Sequence, residues 1–229
     1  VEMVDGRQIE APLVISGAGV STTRQLLNDD GARRAGLTKT LEHVGASAAH
    51  LCLYLGFNQS PEQLNLPRAN WWYYPPEYNH DATFERFAAN PESDFPVIYV
   101  SFPASKDPSW SERFPDRSTV EVITVAPFEQ FSSWIDTRWH KRGAEYDDFK
   151  ARLSERMLDK LYELEPHLRP HLDHCELSTP LSTRHFCNYA QGEIYGLQHD
   201  PTRFAQKSLR PETSLKGLYL TGQDVATAG

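Results

Sequence analysis

Two short stretches carry residues of the kind that can meet a cofactor. The last, Gly217-Leu218-Tyr219-Leu220-Thr221-Gly222-Gln223-Asp224-Val225-Ala226-Thr227-Ala228-Gly229, reads as a buried strand, a glycine turn bearing an acid, and small residues opening a helix. A glycine at a strand end lets a ligand approach the backbone, which a side chain would block. Asp224, just beyond it, can accept hydrogen bonds from sugar-like hydroxyls. The amides at the helix start can face a phosphate or an electron-rich ring. The same residues also suit an ordinary strand, turn and helix with a capping Asp, and the pattern alone leaves both accounts open. The second stretch, Ser16-Gly17-Ala18-Gly19, follows the apolar run Leu13-Val14-Ile15 and repeats that grammar. It is not GxGxxG, and taken alone a plain tight turn is the simpler account.

Other chemistry-bearing residues select less. Trp71-Trp72-Tyr73-Tyr74-Pro75-Pro76 is an aromatic run that could line a pocket for a long apolar ligand. Packing between a loop and a sheet is the competing account. His167, His171 and His174 step by four and three residues, but Pro170 breaks any helix that would bring them to one face. No thiolate or carboxylate completes a ligand set, so no metal site is expected. No GxSxG elbow is present, and Asp147-Asp148 belong to the polar side of a helix.

The elements that must position these residues follow from periodicity. Val1 to Val4, the turn at Asp5-Gly6 and the stretch from Ile9 to Ile15 predict a strand and its return. Ser21 or Thr22 can cap a short helix running through Leu26 and Leu27. Residues 50–57, 97–102 and 118–125 read as strands, separated by loops and short helices in the manner of a mixed or antiparallel sheet. Tyr146, Phe149, Leu153, Met157, Leu161, Leu164 and Leu168 form one apolar stripe and predict a helix over 145–165, bounded by Pro166 and Pro170. Residues 171–195 read as extended and irregular chain.

The 229 residues, 39% hydrophobic, suffice for one sizeable core or two lobes. A net charge of -8, from 31 acids and 23 bases with no basic stripe, argues against a nucleic-acid partner. Cys52, Cys175 and Cys187 are far apart and contain no CxxC, which fits a reducing compartment. No apolar run reaches the ~18 residues of a membrane span. The first residue is Val1 and the chain stops within its own terminal motif, so an internal piece of a longer protein is expected.

Together these segments carry a resemblance. Val14-Ile15-Ser16-Gly17-Ala18-Gly19, followed by Thr22, Thr23, Leu26 and Leu27, resembles a segment of the phytoene desaturase-like flavoproteins. The stretch from Gly217 to Asp224 is similar to their second FAD-binding motif. Ser101-Phe102-Pro103-Ala104-Ser105-Lys106-Asp107-Pro108, Arg113-Phe114-Pro115, Lys141-Arg142-Gly143, Thr179-Pro180-Leu181-Ser182 and Gly192-Glu193-Ile194-Tyr195-Gly196-Leu197-Gln198-His199-Asp200 are similar to the retinol saturase branch. Gly17 stands where the family usually has Asn.

The resemblance implies an α/β fold, α+β in the substrate lobe: a partial FAD-binding domain, 1–35 and 181–229, interleaved with a mixed-sheet substrate domain, 36–180. It implies an FAD-dependent oxidoreductase that saturates, desaturates or isomerises double bonds of retinoid or carotenoid polyenes. The amine oxidase-like flavoenzymes and a non-catalytic remnant domain are the alternatives. Gly17, Ala18, Gly222, Gln223, Asp224 and Val225 would hold FAD. Tyr195 would face the flavin or supply a proton, and Trp71, Trp72, Tyr73 and Tyr74 would line the substrate. A cytoplasmic location or one peripheral to a membrane is expected. The first nucleotide-binding turn of the family does not occur in the sequence, so this stretch alone is expected to bind FAD poorly and to be inactive.

Overall fold

The computed structural model describes residues 1–226. In chain order the elements are β1 (Val14–Ser16), α1 (Val20–Leu26), α2 (Asp29–Arg34), α3 (Leu37–His43), β2 (Ala49–Phe57), β3 (Trp71–Tyr73), α4 (His80–Ala89), β4 (Ile98–Ser101), α5 (Pro103–Lys106), α6 (Trp110–Arg113), β5 (Ser118–Ala126), α7 (Ala144–Leu164), β6 (Leu172–Ser178), α8 (Pro180–Cys187), α9 (Pro201–Phe204) and β7 (Leu218–Leu220). The fold is α/β, with a parallel pair of strands and an antiparallel sheet of five. Two compact units divide the chain: 1–48 with 188–229, and 49–187. Among the described residues, no helix is long and apolar enough to cross a membrane.

In the continuous unit, 49–187, the sheet order is β3-β4-β5-β2-β6, antiparallel throughout. Strand alternation decides its faces. Leu51, Leu53, Leu55 and Phe57 of β2, with Val120 and Val122 of β5, turn to one side and are buried. Tyr146, Leu153, Met157 and Leu161 of α7 join the same core. Their three- and four-residue spacing lays them along one side of the helix, which explains why this helix was so plain in the sequence. At its N-terminal end the Tyr146 hydroxyl meets Thr179 Oγ1 at 2.7 Å, in a buried pair. The Arg142 guanidinium lies over the Tyr146 ring and donates to the carbonyls of Trp134 and Thr137.

The discontinuous unit is built differently. β1 and β7 pair in parallel through only three residues each, Val14 opposite Leu218 and Ser16 opposite Leu220. A smaller apolar cluster, Val20, Ala35, Leu37, Val44, Leu197, Leu209, Leu218 and Leu220, packs beside them. Residues 45–48 run antiparallel to 194–198, with the Ser47 amide donating to the Gly196 carbonyl and the Ile194 amide to the Ala48 carbonyl.

Two expectations need correction. The hairpin expected from Val1 to Ile15 is reduced to a single bridge, Glu2 opposite Gln8, and β1 begins only at Val14. Those first residues are exposed, so no apolar face rewards a longer ladder. The extended and irregular chain expected over 171–195 includes the extended strand β6 but also a helix, α8, that was not expected. β6 is an edge strand whose side chains are mostly exposed, so it lacks apolar alternation. Pro180 sits at the first residue of α8, where a missing amide costs nothing.

Candidate functional site

The two glycine turns lie at the same end of the paired strands. Gly17-Ala18-Gly19 leaves the C-terminal end of β1, and Thr221-Gly222-Gln223 leaves that of β7. The Thr221 amide still donates to the Ser16 carbonyl, which holds the turns side by side. A methyl group added at Gly17 would lie 3.3 Å from Thr221 Cγ2, and one at Gly222 would lie 3.9 Å from the Gly17 carbonyl oxygen. Gly222 has φ 101°, a conformation that favours glycine. The Thr23 hydroxyl donates to the Gly19 carbonyl at 2.6 Å, so its single proton is used; Ser16 Oγ then donates to Thr23 Oγ1, also at 2.6 Å. That chain fastens the start of α1 to the end of β1.

Gly17, Ala18 and Gly222 are exposed and Gln223 is half-buried. Among the described residues, the amides of Gly17, Ala18, Gly222, Gln223 and Asp224 donate to no acceptor within the chain. Neighbouring free amides at the C-terminal ends of parallel strands form the kind of crevice in which open α/β sheets take their ligands. Oxygen acceptors of a nucleotide cofactor would fit that donor set. Val225 is half-buried against the small apolar cluster, and its amide turns back to the Gly222 carbonyl. The helix expected after Asp224 extends into 227–229, outside the described residues.

Asp224 occupies the interior. It is 2% exposed. Its Oδ2 accepts the Val20 amide at 2.8 Å and its Oδ1 the Leu197 amide at 2.8 Å. A carboxylate that accepts two amides makes charge-assisted bonds, and here it joins α1, the Gly196 turn and the end of β7. Gly196 has φ 65°, and a methyl group there would lie 2.1 Å from Asp224 Oδ1. The carboxylate thus acts directly on the chain's own amides.

Three further residues complete the surroundings and were not singled out from the sequence. Arg203 is 1% exposed and donates to the carbonyls of Leu197 and Gln223. The Gln223 side-chain amide donates to the Tyr189 hydroxyl at 2.7 Å. Glu193 is buried, and its Oε2 accepts the Gln191 amide at 2.8 Å. Burial pushes the Glu193 carboxyl up; backbone amides at 193 and 191 offset part of this, and the nearby Asp224 charge adds to it. Local pattern gave little sign of these roles. The Asp200-Pro201 pair, a cap followed by a first-turn proline, was the available signal that Arg203 sits at a helix start.

Tyr195 is 46% exposed. Its amide donates to Ser47 Oγ and its ring meets the edge of His199 at 6.3 Å. The His199 imidazole is held below its usual range by burial and by the Arg203 charge, with Asp224 opposing.

The aromatic run does not form one wall. Trp71 packs edge-on against Phe102 at 5.0 Å on the core side. Tyr73 is also core-packed, beside a small cavity of about 30 Å³ with Phe95 and Ile98. Tyr74 rests on His80. Only Trp72, 59% exposed, takes the opposite sheet face, where it meets Tyr99 at 4.8 Å. From Trp72 a cross-strand row passes through Tyr99, Ile123 and Cys52 to Ser178. Burial pushes the Cys52 thiol up to about 11, the Tyr54 hydroxyl opposing and Glu121 adding, so Cys52 is a neutral, nearly apolar group in that row.

Comparison with known proteins bears on the whole chain. It is 31% identical over 229 residues to an all-trans-retinol 13,14-reductase of Danio rerio, and 32% identical to that of Rattus norvegicus, in each case over 96% of its own length. Over this stretch the chain belongs to the retinol saturase branch. A third relative from that branch, 29% identical over 97% of the chain, is named an inactive all-trans-retinol 13,14-reductase of Danio rerio. The chain spans 37–38% of the length of these retinol saturase relatives. No family model matches it.

Proposed function

We propose that the complete protein is an FAD-dependent reductase of a carbon–carbon double bond in an apolar polyene, with retinol the first substrate to test and carotenoids the second. The observation that carries this reading is the meeting of two exposed glycine turns, with free amides, at the C-terminal ends of β1 and β7. The names of the relatives support the retinoid substrate. FAD, once bound and reduced by two electrons from a reductant, would supply a hydride to one carbon of the double bond, and a proton to its neighbour would complete saturation.

The chain's own residues have defined tasks in this reading. The amides of Ala18, Gly222 and Gln223 donate to acceptor oxygens of the cofactor. Asp224 holds the turn that presents those amides, by binding Val20 and Leu197. The row Trp72, Tyr99 and Ile123 offers the polyene an apolar surface. Two strand spacings of roughly 4.8 Å make that surface about 10 Å across, enough for part of an extended polyene. Tyr195 is the candidate proton donor.

The test uses the full-length protein. FAD should copurify, and retinol incubated with a reductant should lose polyene absorbance as a dihydro product appears. Protein that takes no FAD would sink the cofactor assignment. Unchanged turnover in Tyr195→Phe would exclude its proton role.

A second reading has the inactive-named relative in its favour: a flavin-binding remnant without turnover. FAD-loaded protein that leaves retinol and carotenoid spectra unchanged would select it.

A further inference from the structure

Arg203 enters α9 with its amide bonded to Asp200 Oδ1 at 2.9 Å, and its side chain then turns inward. Nη1 donates to the Leu197 carbonyl at 2.8 Å and Nη2 to the Gln223 carbonyl at 2.7 Å. Nε is buried with no acceptor among the described residues. A guanidinium stays charged in such a site, so its charge needs an answer nearby. Asp224 provides it through one residue: the Leu197 amide binds Asp224 while the Leu197 carbonyl binds Arg203.

We propose that Arg203 is the positioning residue of the cofactor turn, fixing the Gln223–Asp224 peptide so that the Asp224 amide is presented to an oxygen acceptor of the bound cofactor. This rests on the cofactor reading above. The geometry behind it is simple. A trans peptide is planar, and its carbonyl and amide point in opposite directions. Anchoring the Gln223 carbonyl on the buried guanidinium aims the Asp224 amide away from it. That amide has no acceptor among the described residues although its residue is buried, and buried donors are almost always paired. Lysine cannot reproduce the hold, because one ammonium does not span two carbonyls in the fixed fork of arginine.

The experiment compares wild type, Arg203→Lys, Arg203→Met and Leu37→Ala in the full-length protein. Leu37 lies in the small apolar cluster, and its side chain carries no hydrogen-bonding group, so its variant reports loss of packing stability without removing a bond of the turn. Hydrogen exchange should be about tenfold faster at Leu197 and Val225 in Arg203→Met, above any uniform rise in the rest of that unit. The FAD dissociation constant should rise about tenfold in Arg203→Lys and by less in Leu37→Ala at equal loss of melting temperature. Flavin loss that merely tracks melting temperature across the variants, or unchanged FAD affinity in Arg203→Lys, would overturn the proposal alone. Wild-type protein that takes no FAD would sink the cofactor reading as well.

Discussion

The two units solve the same problem with opposite materials. Unit 49–187 is held by length and oil: β2 and β5 pair over nine residues each, and a 21-residue helix closes an apolar core. Its buried polar residues are hydroxyls, such as Ser101, Ser118, Thr124 and Thr179. The other unit has three-residue strands and a small apolar cluster. It buries Asp224, Glu193 and Arg203, and among the described residues every buried charged side chain lies there. Apolar burial is strong but tolerant of direction, whereas a buried charge is satisfied only in one arrangement. The first unit is therefore robust, and the second is specified.

That contrast can be broken at several points. Gly196→Ala should have the largest effect, because a methyl group 2.1 Å from the Asp224 carboxylate adds to the strain of φ 65°. A loss above about 4 kcal/mol is expected, confined to amide protection in 1–48 and 188–226. Asp224→Ala should cost about 3–5 kcal/mol in the same unit, since it strands two amides and leaves Arg203 uncompensated. Met157→Ala should cost about 3 kcal/mol by opening a cavity, with its protection loss confined to 49–187. If Met157→Ala instead weakened both units equally, the contrast would fail.

The smallest effect is in pH. The Glu193 carboxyl is raised in the folded chain, so the folded state holds its proton to higher pH than the unfolded state. Its contribution is fully present below the unfolded value of about 4.5 and is lost as pH rises through the folded value. Glu193→Gln should remove that part of the decline in protection above pH 4.5, and should leave unit 49–187 unmoved. A pH profile identical to wild type would remove Glu193 from the account.

The same contrast explains what could be read from the sequence. α7, β2 and β5 are plain because each carries its own period over many residues, and periodicity is a local signal. The two glycine turns were also plain as turns. The bonds that give the site its shape were not, because the partners of Asp224 lie 204 and 27 residues away. Arg203 reads as an ordinary surface charge in its neighbourhood, and only the tertiary fold buries it. The aromatic run was visible as a run, but strand alternation turned Trp71 and Tyr73 inward and left Trp72 on the other face.

The bond between the Val20 amide and Asp224 also sets an order of events. Its two ends are made with the whole of 49–187 between them. Contacts of such separation form late, after closer ones have closed the intervening chain. Residues 1–48 are made before 49–187 and should find their place after it. Pulse-labelling during refolding is expected to protect β2 and β5 well before Val20. The nascent chain would then carry β1 unpaired, with Ile15 70% exposed even when folded, until β7 has been made.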